Sequence, residues 1–108
     1  MAQEEIIKQL KQYCALLSSS GIPVDKAFLY GSWAKNQASD SSDIDVLIVS
    51  KVFDFPNDLL KAKAWRVTEM INIKIEPYTV GIKKFTTDNI SPLLQIIKKE
   101  GIEILPLD

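Results

Sequence analysis

Phe28-Leu29-Tyr30-Gly31-Ser32-Trp33-Ala34-Lys35-Asn36 and, after a polar loop, Ser42-Asp43-Ile44-Asp45-Val46-Leu47-Ile48-Val49 decide how this chain is read. An apolar run leads into Gly31-Ser32, and two carboxylates one residue apart open a second apolar run. Side chains alternate faces along a strand, so Asp43 and Asp45 project to the same side, with Cβ atoms roughly 7 Å apart. Two unpaired carboxylates at the mouth of a buried strand repel each other. A divalent cation within reach of both would offset that repulsion.

Outward from this centre the pattern is one of alternating helices and strands. Ile6, Ile7, Leu10, Cys14 and Leu17 recur at helical spacing between Gln3 and Ser19, which predicts an amphipathic first helix ended by Ser18-Ser19-Ser20-Gly21 and Pro23. Ala27 to Tyr30 read as a short strand, Trp33 to Asn36 as a short helix, and Ile44 to Val49 as a strand buried on both faces. Asn57 caps a predicted helix from 58 to 70 that packs through Leu60, Ala64 and Val67. Residues 71 to 76 alternate apolar and polar, the mark of a half-buried strand. Ser91-Pro92 starts a last helix, Gly101 stops it, and Ile102 to Leu105 add a closing strand. The fold class expected is α/β, a small mixed sheet flanked by helices, with residues 1–108 forming one domain. Trp65 and Cys14 read as core or near-core residues, and Trp33 as packing on the domain rather than on a base or a partner.

Bulk composition removes several function classes. Hydrophobic residues at 46% and charged residues at 25% suit a folded globular domain rather than a disordered segment. With 13 basic and 14 acidic residues the net charge is −1, which argues against general nucleic-acid binding. There is no histidine, so imidazole bases and most zinc sites drop out. One cysteine excludes an intrachain disulfide and fits a reducing, cytoplasmic setting. No apolar run is long enough for a membrane span, and the acidic start Met1-Ala2-Gln3-Glu4-Glu5 is unlike a signal peptide.

Asp43 and Asp45 are the candidate metal ligands, and hard oxygen donors suit Mg²⁺, with Mn²⁺ as a substitute. Glu76 is the candidate third carboxylate, because Lys74, Glu76 and Tyr78 share one strand face and an adjacent strand would bring it beside the aspartates. Asp54, Asp58 and Glu69 are weaker, since none lies centrally in an alternating strand. Taken singly, these features have plainer readings: a turn with a serine cap, two solvated aspartates, and a surface glutamate paired with Lys74.

Gly31-Ser32, the ten-residue gap and Asp43-Ile44-Asp45 between apolar flanks resemble the signature of the DNA polymerase β-type nucleotidyltransferase superfamily. The short length is similar to its minimal branch, MNT, commonly encoded beside an all-helical HEPN protein as the antitoxin of a toxin–antitoxin pair. The resemblance implies the palm-type nucleotidyltransferase fold. It implies that Gly31 and Ser32 hold the phosphates of a nucleoside triphosphate, with Lys35 reaching them where many relatives carry arginine. It also implies that Asp43, Asp45 and Glu76 are catalytic, binding up to two Mg²⁺ ions, with Glu76 as base toward an incoming hydroxyl. Asn36 stands where the family has glycine, and asparagine tolerates the left-handed conformation that glycine would take.

The function implied is transfer of AMP from ATP to a hydroxyl, a tyrosine of a HEPN toxin, which silences it. Two alternatives remain open in the sequence. One is a catalytically silent antitoxin acting by binding alone; the other is a small-molecule nucleotidyltransferase of the antibiotic-modifying type. Assembly with itself or with the partner is also left open.

Overall fold

The site's scaffold is a four-stranded sheet, seen in a computed structural model that describes residues 1–105. The strands are β1 (Lys26–Tyr30), β2 (Ile44–Val49), β3 (Ile75–Val80) and β4 (Ile102–Leu105), in spatial order β3-β2-β1-β4. β1 runs antiparallel to both β2 and β4, whereas β2 and β3 are parallel. The expected mixed α/β sheet flanked by helices is the observed one.

The alternation of side chains along β2 divides the interior in two. Ile44, Val46 and Ile48 point to the face covered by α1 (Gln3–Ser19) and α2 (Asp58–Thr68), joining Ile6, Leu10, Leu17 and Ala64. Leu47 and Val49 point to the opposite face, where Leu94 and Ile97 of α4 (Pro92–Glu100) and Ile82 and Phe85 of α3 (Ile82–Thr87) cover them. Each such side chain fully removed from water contributes about 1.5–3 kcal/mol. Asp45, two residues before Leu47 on the same face, is half-buried.

The caps expected at Asn57 and Ser91 are present. Asn57 Oδ1 accepts from the Leu60 amide at 3.2 Å, and Ser91 Oγ from the Leu94 amide at 3.4 Å, with Pro92 at the first turn. α2 is shorter than expected and ends at Thr68, its chain continuing through tight turns to Asn72.

Three expectations need correction. The third strand is Ile75–Val80, not 71–76. Ile71, Ile73 and Ile75 alternate as strand residues do, but Ile73 is 79% exposed and only Ile75 enters the core. Pro77 does not end the strand, because β3 is an edge and its missing N–H faces away from β2. The segment after Gly31 is a single turn rather than a helix. Gln37 N–H donates to Ser32 O at 2.9 Å and Asn36 takes φ 57°, which closes the turn after one round. Trp65 is 50% exposed and not core, while Cys14 and Trp33 are buried as expected.

Candidate active site

Strand register builds the site. Tyr30 of β1 pairs with Asp45 of β2, and Asp45 pairs with Glu76 of β3. Directly paired residues share a face, so Tyr30, Asp45 and Glu76 form a row across three strands. Asp43 precedes β2, two residues before Asp45, and lies close enough for its charge to act on Glu76. The structure thus pairs Asp45 with Glu76 across β2 and β3 and sets Asp43 two residues before Asp45, without closing the three into one cluster.

Their electrostatics follow from that crowding. Asp45 is held above the usual carboxylate range by its partial burial and then by the charge of Asp43. Glu76 is also raised, by loss of hydration and then by the charges of Asp43 and Asp45. No lysine or arginine of the described residues forms an ion pair with any of the three. Lys74, the plainer partner for Glu76, instead donates its Nζ to the Asp40 carbonyl.

Gly31 ties the turn to the acids. Its φ is +76°, a conformation that L side chains rarely adopt. A Cβ at this position would strike the Asp45 Oδ2 atom and come within 3.3 Å of its Cγ. The following turn is held by Ala34 N–H and Lys35 N–H, both donating to Gly31 O at 3.1 and 3.3 Å. The earlier amides, of Ser32 and Trp33, donate to no backbone carbonyl among the described residues. Lys35 is exposed, with Nζ 3.8 Å from Glu100. An exposed pair of this kind is worth about 0–1 kcal/mol, so its ammonium is readily redirected.

Tyr30 is a neighbour the sequence reading passed over, although its place just before Gly31 and the period of the strand both signal it. Its hydroxyl is pushed up to about 12 by burial and then by Asp45, Tyr78 and Glu76. It stays protonated at any ordinary pH.

The donor set, carboxylate oxygens without cationic partners, suits a hard divalent ion. As placed, no three His, Cys, Asp or Glu side chains among the described residues converge closely enough to hold one. Side-chain rotation that brings the carboxylates closer together is the adjustment a cation would need.

Comparison with known proteins accords with this geometry. A family model described as polymerase beta, nucleotidyltransferase, matches residues 4–107. A Methanocaldococcus jannaschii protein named "Putative protein adenylyltransferase" is 34% identical over 85 residues, 78% of this chain and 83% of that protein. A Sulfolobus solfataricus structure, titled a putative nucleotidyltransferase, superposes with TM-score 0.63 at 22% identity, covering 94% of this chain and 80% of its own. A toxin–antitoxin structure with AMP-PNP superposes with TM-score 0.62 at 16% identity, covering 90% and 73%. These two likenesses concern the fold. The family match, spanning turn, strand pair and acids alike, carries the assignment: this chain belongs to the polymerase beta nucleotidyltransferase family.

Proposed function

We propose that the protein transfers AMP from ATP to a tyrosine hydroxyl of a HEPN-type toxin and so neutralises it, in the cytoplasm. The observation that carries the reading is the register of Asp45 with Glu76 on neighbouring strands, with Gly31 packed against Asp45. The adenylyltransferase name of the Methanocaldococcus jannaschii relative supports the chemistry. The AMP-PNP in the toxin–antitoxin neighbour supports the nucleotide and the partner class.

In this reading the free amides after Gly31, the Ser32 hydroxyl and Lys35 hold the terminal phosphates. Asp43, Asp45 and Glu76 would hold Mg²⁺, which when bound supplies charge neutralisation at the phosphate. Glu76 takes the proton of the acceptor hydroxyl as its oxygen bonds to the α-phosphorus, and the bond to pyrophosphate breaks. Tyr30, paired with Asp45 across β1 and β2 and kept protonated, adds no further negative charge beside the acids. Positioning and fixed charge supply most of the acceleration.

The test is incubation with labelled ATP, Mg²⁺ and the toxin encoded alongside, followed by intact-mass analysis. The toxin gains the mass of AMP with the native protein and does not with Asp43→Asn/Asp45→Asn. Transfer undiminished in that double variant refutes the mechanism. A second reading, neutralisation by binding alone, is favoured by the exposed apolar side chains Leu59, Met70 and Ile73. It predicts that the double variant still protects cells.

A further inference from the structure

In-line displacement sets the entering and leaving oxygens on opposite sides of the phosphorus. This inference rests on the proposed function, in which pyrophosphate leaves over Gly31 at the end of β1. The row Tyr30–Asp45–Glu76 then points the acceptor's approach across β3, the free edge of the sheet.

What lies along that edge is a cleft of about 420 Å³, lined by Lys61 of α2, Lys83 and Lys84 of α3, and Phe53, Tyr78 and Thr79 among others. All three lysines are exposed, and none forms an ion pair among the described residues. The one carboxylate in the lining, Asp54, accepts from the Lys83 amide at 2.9 Å. Lys83 Nζ sits 5.8 Å from the centre of the exposed Phe55 ring. A chain with net charge −1 thus gathers three lysines around one carboxylate, Asp54, beside aromatic walls.

The edge itself is open over a short length. Ile44 N–H donates to Lys74 O at 2.8 Å and Ser50 N–H to Val80 O at 3.0 Å, so the even-numbered residues of β3 turn their main chain toward β2. The Thr79 amide and the Pro77 and Thr79 carbonyls therefore face outward. Pro77 has no N–H, which limits pairing with an incoming strand to a few residues. A short extended peptide fits this edge. A nucleic-acid strand does not call on it, and the overall charge disfavours one.

We propose that the acceptor is a polypeptide segment carrying an anionic group, carboxylate or phosphoryl, about four residues from the modified hydroxyl. Glu76 and Val80 share a strand face four residues apart, roughly 13 Å. With the hydroxyl at Glu76, the anion settles among Lys61, Lys83 and Lys84.

The test is fluorescence anisotropy of labelled tyrosine peptides with the intact protein, which needs no transfer. Peptides bearing glutamate or phosphoserine four residues from the tyrosine bind about tenfold tighter than alanine counterparts, the worth of one charged hydrogen bond. The two acidic arms tell carboxylate from phosphoryl. Lys83→Gln/Lys84→Gln erases the preference, and Asp45→Asn keeps it. Equal affinity for acidic and alanine peptides overturns the proposal, as does a preference that survives loss of both lysines. Displacement of the peptide by an equal concentration of single-stranded oligonucleotide also overturns it, reassigning the cleft to nucleic acid. Failure of transfer with a peptide that binds as expected counts against the proposed function alone.

Discussion

Replacing Glu76 by glutamine preserves shape and removes one of three crowded negative charges. Paired positions on neighbouring strands lie about 4.8 Å apart. Two unit charges near that distance repel by about 0.9 kcal/mol in water and several-fold more in a surface dielectric of about 20. Glu76 is exposed, so solvent screening governs and the lower figure applies. Like charges directly opposite in a sheet are destabilising over the same range, about 0.2–1 kcal/mol. The expected outcome is a gain of about 0.5–1 kcal/mol, a rise of roughly 2–8 °C in melting temperature for a domain this size. Sign and pH follow from the raised Asp45 and Glu76 carboxyls. A group whose folded pKa lies above its unfolded value favours the fold when protonated, and that favour is lost as pH rises through the folded value. The advantage of Glu76→Gln is therefore largest near pH 7–8 and fades toward pH 4. Differential scanning calorimetry with chelator present measures it. Adding Mg²⁺ then stabilises the native chain by mass action and the variant less. A variant less stable than native at pH 7 without divalent ions, or one that responds equally to Mg²⁺, refutes the account of the acids as a strained ligand set.

Gly31→Ala forces a side chain into a left-handed backbone at about 1–2 kcal/mol and displaces the Asp45 carboxylate. Its melting temperature should fall by about 4 °C or more and transfer should vanish; retention of both in calorimetry and mass analysis contradicts the packing described. Burial pushes the Cys14 thiol up to about 12. At pH 8 it should resist a chromogenic disulfide reagent in the folded protein and react at once in denaturant, so prompt reaction without denaturant would show α1 to be detached.

Legibility differed between parts of the chain for physical reasons. β2 was readable to the residue, because six consecutive positions are set by burial on both faces and by the carboxylate at their mouth. The first helix was equally plain, its buried Ile6, Leu10, Cys14 and Leu17 falling on one stripe, although buried Tyr13 belongs to that stripe too. β3 was misplaced by four residues. An exposed isoleucine at 73 mimicked the strand period, and a proline at 77 is forbidden only where its N–H would meet a neighbour. α3 went unseen, since six residues ending in two threonines carry no helical period of their own. It is held by Phe85 stacking on Phe28 at 5.5 Å, a contact across 57 positions that local pattern does not reveal. The acids were legible by type and spacing, but the part played by Tyr30 depends on register with β2, which the linear chain does not display.

The close fit of Gly31 against the Asp45 carboxylate has an evolutionary reading. The two positions can change only in concert while Asp45 keeps its side chain, since any enlargement at 31 meets it. A lineage that abandoned chemistry and shortened residue 45 would lift this steric veto, leaving only the backbone twist to restrain position 31. Asparagine, already tolerated in that twist at position 36, would be the first newcomer. Descendants that act by grip alone should therefore be recognisable by paired drift at 31 and 45.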